Sequence, residues 1–135
     1  KYEFDPEGGN GNSNVDIPLF RLGGMYVMRA EANFRKGNVG PAMDDLNMLR
    51  TSRKRESLFG NAAGKALTSL DAQQLYKELG FELYWELQRR PQSIRFGKFD
   101  LAGTAKAASQ PFKRLFPIPQ TVIDQKVFQQ NQGYN

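Results

Sequence analysis

Apolar residues recur at helical spacing near the start of the chain. Pro18 suits the first turn of a helix, where its missing N–H costs nothing. From Leu19 onward, apolar residues share one broad face at about 100° per residue, namely Leu22, Tyr26, Val27, Ala30 and Phe34. Gly23 and Ala30 lie near the centre of this face, so a second helix can approach closely there. Gly37 is placed to end this first predicted helix.

A second helix is predicted to start at Pro41. Its apolar stripe consists of Met43, Leu46 and Leu49, with acidic residues early and basic residues late, the order that the helix macrodipole favours. The link over residues 37–40 is short, and short links join antiparallel neighbours. The first two helices are therefore predicted to form a helical hairpin.

A third helix is predicted to begin at a cap on Thr68 or Ser69 and to run to about Arg90, where Pro91 helps to stop it. On its helical wheel one arc of about 120° is apolar and is the predicted core face. This arc contains Leu75, Tyr76, Leu79, Leu83 and Leu87.

A second apolar stripe, formed by Phe81 and Trp85, lies on the opposite side of the third predicted helix. A helix that is apolar on two faces is packed on two faces. The favoured interpretation is that these aromatic side chains pack against the carboxy-terminal tail or against another part of a longer protein. The alternative is that Trp85 stacks on a sugar ring, which makes it the candidate ligand-binding residue.

The rest of the chain is predicted to be irregular, with loops rich in Gly, Ala and Ser. The tail over 115–119 is held extended by its prolines, and one helical turn follows over 121–125. The fold class is therefore all-α, a helical hairpin plus a third helix, with long irregular loops and an extended carboxy-terminal tail. The segments predicted to lack regular structure are 1–16, a flexible leader or loop, 56–67 and 102–111, with 94–99 short and extended at best.

Charged residues interrupt the apolar faces of the second and third predicted helices. Glu86 and Arg90 fall within the arc of the third helix and Glu82 falls at its edge, while Arg50 and Arg53 interleave with the stripe of the second. A buried charge must be paired or it costs several kcal/mol, and arginine can grip a carboxylate through two parallel hydrogen bonds. We therefore expect these five residues to form a structural ion-pair network.

Two carboxylates on one helix also raise the possibility of a glycosidase acid/base pair. Glu82 and Glu86 would lie one turn apart, so their carboxyl groups would be close enough for that chemistry. Nearby arginines would keep both groups ionised, which suits a structural network and not a general acid. The sequence therefore favours the structural role, with no catalytic residue.

The composition excludes several kinds of chemistry. The 135-residue chain contains no Cys and no His, so it has no thiol nucleophile, no Ser-His pair and neither of these metal ligands. Its net charge of +5 is spread along the chain, which favours a solvated surface over nucleic-acid binding. No run approaches the ~20 apolar residues of a membrane span. No cofactor or metal is expected, and the chain, which begins at Lys1, is expected to be part of a longer protein.

Four stretches resemble sequence motifs of the SusD/RagB family, in the same order. They are residues 17–21 with 28–32, residues 42–50, residues 78–99, and residues 116–119 with 130–134. Four residues depart from the family pattern: Leu79 stands in place of Arg, Leu87 of Gly, Gln92 of Asp and Gln132 of Pro. Together the motifs cover nearly the whole chain, which makes the resemblance specific.

The resemblance implies a mostly helical protein with tetratricopeptide-like helix pairs. Such proteins are held on the outer face of the outer membrane by an amino-terminal lipidated Cys, which here would lie outside the chain. They cap a SusC-like TonB-dependent transporter and capture oligosaccharides or, in some members, peptides. Residues 17–135 would be the carboxy-terminal helical domain of such a non-catalytic protein. The alternative from the residues alone is a helical-repeat protein-interaction module without a sugar ligand.

Overall fold

A computed structural model describes residues 19–52 and 64–134. Within these ranges the regular structure is helical, with a single isolated bridge between Gly103 and Lys106 and no β-strand. The all-α prediction is confirmed. The helices are α1 (Leu22–Arg35), α2 (Val39–Ser52), α3 (Ala72–Glu82), α4 (Arg89–Arg95), a 3₁₀ turn (Pro111–Arg114) and α5 (Gln120–Ile123).

The chain divides into two compact units, residues 1–70 and residues 71–135. In the first unit α1 and α2 pack against each other as the predicted hairpin. Small residues make the contact close, because Gly23 and Ala30 of α1 and Ala42 of α2 are buried. Val27 and Leu46, each 1% exposed, complete this core.

The hairpin turn is built on Gly37, as predicted. Its φ of +84° is a left-handed conformation that favours glycine. The amide of Gly37 donates to the Phe34 carbonyl (3.0 Å) and the amide of Asn38 donates to the Asn33 carbonyl (2.9 Å). These bonds satisfy carbonyls at the end of α1 and reverse the chain into α2.

The start of the first helix differs from the prediction. Helix α1 begins at Leu22, and the side chains of Leu19, Phe20 and Leu22 are exposed by 84%, 82% and 71%. The predicted apolar face was wrong at the start of α1. The hairpin contact is centred on small residues, whereas the predicted face was centred on large apolar residues. Pro18 lies outside the described residues.

A bidentate ion pair also joins α1 to α2. The Asp45 carboxylate is buried, and it accepts from Nε of Arg29 at 2.8 Å and from Nη2 at 2.6 Å. The hydrogen bond to Asp45 raises the pKa of Arg29 above its usual value. The sequence analysis did not predict this pair, although Asp45 lies next to the core residue Leu46.

The second unit begins with α3, which is capped by Asp71 and not by Thr68 or Ser69. The Asp71 carboxylate accepts from the amide of Gln74 at 2.6 Å. Leu75 and Leu79 of α3 are buried, as predicted. Among the residues described, no helix is long and apolar enough to cross a membrane.

The prediction of one long third helix to Arg90 was wrong. Helix α3 ends at Glu82, and after a turn over residues 83–87 the chain enters α4, with Pro91 in its first turn. A proline is tolerated there because its missing N–H needs no helical partner. The extended segment predicted over 94–99 was also wrong, because α4 continues to Arg95 and the chain then turns.

The carboxy-terminal tail is extended over 115–119, as predicted, and enters the short helix α5, which begins one residue before the predicted turn and ends two residues before its predicted end. Side chains near the carboxy terminus hold this tail in place through hydrogen bonds to its backbone. The Gln130 amide bonds both the N–H and the carbonyl of Ile118 at 2.9 Å, and the Tyr134 hydroxyl donates to the Leu115 carbonyl at 2.8 Å.

The predicted loops are tested only in part. Residues 64–67 and 107–110 have no regular structure, in agreement with the prediction. The predicted leader over 1–16 and residues 56–63 lie outside the described residues. The tetratricopeptide-like character of the hairpin stays a prediction.

The hairpin core generates a first testable prediction. Leu46→Ala is expected to lower the free energy of unfolding by about 2–5 kcal/mol, because it leaves a cavity at a fully buried position of the hairpin core. Met48→Ala on the same helix is the control, since Met48 is 53% exposed, and its effect should stay within about 0.5 kcal/mol. Urea denaturation of both variants measures the difference, and equal effects would contradict this account of the core.

Candidate ligand-binding site

Large apolar side chains are concentrated on the surface at the end of α3 and in the turn that follows it. Phe81, Tyr84, Trp85 and Leu87 are exposed by 72%, 64%, 78% and 94%. We call these four residues the aromatic platform. The rings of Tyr84 and Trp85 lie 5.6 Å apart between centroids and 18° from parallel. The two rings are thus stacked nearly parallel to each other, and both side chains remain largely exposed.

The backbone of the turn produces this exposure. Trp85 and Leu87 have φ values of +64° and +58°, in the left-handed region that non-glycine residues rarely adopt. The turn breaks the helical spacing, so side chains that a continuing helix would have directed along two stripes are brought together at the surface. Each such residue costs about 1–3 kcal/mol, and strain of this kind concentrates at functional sites.

A cavity of about 470 Å³ adjoins the aromatic platform. Its other walls come from Leu83 and Gly80, and its cationic side chains are Lys77 and Arg89. Apolar surface with a few polar groups at its border is the usual composition of a small-molecule site. A sugar ring fits such a surface because its C–H groups pack on aromatic faces while its hydroxyls reach the flanking donors.

Arg89 lies across α3 and is held there. Its Nη1 donates to the Tyr76 carbonyl at 2.8 Å, and its guanidinium stands 3.6 Å from the centroid of the Tyr76 ring. The Arg89 side chain passes over Gly80, where an added Cβ atom would lie only 2.6 Å from Nη1 of Arg89. Gly80 is therefore the position on α3 that gives Arg89 room to lie against the helix.

The two glutamates of the alternative acid/base pair lie in different elements. Glu82 is the last residue of α3 and is 6% exposed, whereas Glu86 lies in the following turn. They do not lie on a single helix, which is the placement from which the acid/base alternative was argued. The ion-pair network that would join them to arginines stays a prediction.

The arginines of that predicted network occupy different settings. Arg50 in α2 donates from Nε to the Lys65 carbonyl at 2.6 Å, and Arg53 lies outside the described residues. Arg90 lies on α4 and donates from Nη2 to the carbonyls of Lys113 and Arg114, at 2.7 and 3.1 Å. Backbone carbonyls are thus the described hydrogen-bond partners of Arg90.

Two aromatic rings flank the Arg90 guanidinium. The centroid of Phe99 lies 4.6 Å from its central carbon and that of Phe116 lies 4.2 Å away. Cation–π contacts of this kind are stronger when water is excluded. Arg90 therefore fastens the start of the tail to α4, a role that the sequence analysis missed.

A second ion pair closes the loop that follows α4. Arg114 donates to the Asp100 carboxylate from Nε, at 3.0 Å to Oδ2, and also from Nη2. The hydrogen bond from Arg114 holds the pKa of Asp100 below its usual value.

Within residues 19–52 and 64–134, no group of three or more His, Cys, Asp or Glu side chains is arranged to hold a metal ion.

Sequence reasoning found Trp85 but missed its partners at the site. Tyr84 was not singled out because no helical stripe includes it, and Arg89 was not singled out because it follows the unpredicted turn. The adjacent aromatic pair at 84–85 was the available signal.

Comparison with known proteins identifies relatives of this chain. The sequence model of the SusD family matches residues 5–134. The starch-binding protein SusD of Bacteroides thetaiotaomicron is 37% identical to this chain over 134 residues. The match covers 90% of this chain and 22% of that relative, so the chain spans about a fifth of the relative's length.

The Asp100–Arg114 pair generates a pH prediction. Because the folded pKa of Asp100 lies below its unfolded value of about 3.9, the pair stabilises the fold fully above that value and less as the pH falls through the lowered pKa. An NMR titration of the Asp100 carboxyl carbon should give a midpoint below about 3.9. Arg114→Gln should raise the midpoint, and an unchanged midpoint in this variant would contradict the assignment.

Proposed function

The chain belongs to the SusD family, and we propose that it is part of a non-catalytic, nutrient-binding component of an outer-membrane uptake system. Its partner in that system would be a SusC-like TonB-dependent transporter, and its ligand an oligosaccharide. Support comes from the family match over residues 5–134 and from the starch-binding relative. The relative is much longer than this chain, so the activity of the whole protein is inferred from the family.

Within that protein, residues 17–135 would form the carboxy-terminal structural part. The order of the four motifs in the chain supports this placement. Attachment to the cell-surface face of the outer membrane would come from a lipid anchor outside these residues. Neither a nucleic acid nor a cofactor enters this proposal.

The observation that carries the ligand proposal is the exposed ring pair of Tyr84 and Trp85. Trp85 is the only tryptophan in the chain, and 78% of its surface is exposed. The stacked rings leave most of both side chains exposed as apolar surface for a sugar ring, and Lys77 and Arg89 at the adjoining cavity supply hydrogen-bond donors. Trp85 is therefore proposed as the main sugar contact.

The proposal of a non-catalytic role has separate support. The sequence contains neither His nor Cys, the residues that most often serve as general base or nucleophile. Glu82 is buried, and Glu86 is displaced into the turn. A hydrolytic acid/base pair needs both carboxyl groups to reach one glycosidic bond.

A protein ligand is the second candidate. The observation that favours it is Leu87, which exposes 94% of its surface beside Phe81. Contiguous exposed apolar patches mark protein-interaction sites as well as ligand grooves. In this interpretation the chain is a helical interaction module, and the aromatic platform binds a peptide or protein and no sugar.

The sugar contact is tested by calorimetry with maltoheptaose and a panel of other neutral oligosaccharides. Trp85→Ala should weaken binding of the recognised sugar by about three- to tenfold, through loss of ring stacking. Phe20→Ala is the control, because Phe20 is an equally exposed aromatic residue in the first unit. Equal weakening by both changes would contradict a specific role for Trp85, and binding of peptides alone would favour the second candidate.

The transporter partnership is tested separately. From outer membranes solubilised in mild detergent, the full-length protein is expected to co-purify with a TonB-dependent transporter at a fixed ratio. An abundant unrelated outer-membrane protein, followed in the same fractions, is the control for incomplete solubilisation. Recovery of the protein without any transporter would contradict the proposal.

A further inference from the structure

The second unit contains another cavity, of about 510 Å³, which the aromatic platform does not line. We call it the cationic pocket. It lies beside α4 and the loop that follows. The side chains that matter for its chemistry are Tyr76, Arg89, Arg90, Lys98, Phe99 and Lys106.

The residues that line the cationic pocket carry positive charge and no negative charge. Four of the lining residues are cationic, and no Asp or Glu is among the lining residues. The neighbouring carboxylate of Asp100 is bound by Arg114, which neutralises it. A concave surface lined by charges of one sign concentrates the field and attracts the opposite charge.

Lys106 is fully engaged by the chain. Its ammonium donates to the carbonyls of Phe99 (2.7 Å), Leu101 (3.1 Å) and Ala107 (3.2 Å). Three bonds use all three donors of an ammonium group. Lys106 therefore contributes positive charge to the pocket but no free donor.

Lys98 differs from Lys106. It is half-buried, and its ammonium makes no hydrogen bond or ion pair within the described part of the chain. Partial burial of an unpaired ammonium is unfavourable unless an anion or water completes its coordination. Arg90 can also donate hydrogen bonds to an anion, because only its Nη2 donates hydrogen bonds to the described part of the chain.

The aromatic rings in the cationic pocket are already covered. Arg89 lies over Tyr76 at 3.6 Å, and Arg90 and Lys106 lie near Phe99 at 4.6 and 5.4 Å. These faces are not open for stacking with a sugar. Recognition in the cationic pocket is therefore ionic, in contrast to the aromatic platform, where the rings are exposed.

Arg89 connects the two cavities, since it lines both of them. An oligosaccharide with one unit on the aromatic platform can thus direct a charged substituent of a neighbouring unit past Arg89. We propose that the cationic pocket binds the carboxylate of an acidic sugar unit, with Lys98 as its principal ligand and Arg90 as the second. This rests on the proposed function, and it specifies an anionic oligosaccharide as the substrate class.

The test is calorimetry of the full chain with trigalacturonate and with the neutral galactotriose of the same linkage. Trigalacturonate is expected to bind more tightly, and its affinity should fall as salt is raised. Lys98→Gln should weaken trigalacturonate binding by about tenfold and leave galactotriose binding unchanged, because a charged hydrogen bond is lost. Lys36→Gln, which removes an exposed lysine from the first unit, is the matched control and should have no effect.

Three further measurements complete the test. Lys98→Arg should retain the preference for trigalacturonate, which separates loss of charge from loss of fold, and circular dichroism checks the fold of each variant. Inorganic phosphate is titrated alone. If phosphate binds as tightly as trigalacturonate and loses affinity equally in Lys98→Gln, the pocket is a simple anion site and the sugar assignment is overturned.

The remaining outcomes separate this inference from the proposed function. Equal affinity for the two trisaccharides, with no effect of Lys98→Gln, overturns the inference and leaves neutral sugar binding intact. Equal weakening by Lys98→Gln and Lys36→Gln also overturns it, because the effect is then one of net charge. If no oligosaccharide of any kind binds, the proposed function fails and the inference fails with it.

Discussion

The backbone at Trp85 and Leu87 has left-handed conformations, and the candidate binding surfaces of the second unit are arranged around this turn. It ends α3 at Glu82, exposes the aromatic platform and starts α4 so that Arg89 can return across α3. After the turn, Trp85 and Arg89 line the same cavity.

Arginine holds this fold together in two different ways. In the hairpin, Arg29 grips the buried carboxylate of Asp45 with two short hydrogen bonds. In the second unit, Arg89 and Arg90 bind backbone carbonyls and aromatic rings instead. Carbonyls and rings attract a cation without cancelling its formal charge, so these two arginines keep an electrostatic influence on the cavities they line.

Much of the fold was predictable from local signals. Gly37 and the short link defined the hairpin, and prolines defined the extended tail. The end of α3 was not predictable from periodicity, because apolar residues continue at helical spacing through Leu83 and Leu87 while the backbone has already left the helix. The cap of α3 was misplaced because Thr68, Ser69 and Asp71 are all good capping residues, and only the hydrogen bond to Gln74 distinguishes them. At the candidate site, Trp85 was identifiable by its residue type, whereas Arg89 and Lys98 depend on tertiary geometry.

Gly80 has a consequence that reaches beyond the packing of α3. Because this glycine admits the guanidinium of Arg89, one side chain is a wall of two cavities. Any ligand that shifts Arg89 in one cavity changes the other, and thermodynamic linkage requires the change in affinity to be the same in both directions. Binding of one sugar unit would then change the affinity for its neighbour, so that the binding free energy of an oligosaccharide would differ from the sum of the free energies for its separate units.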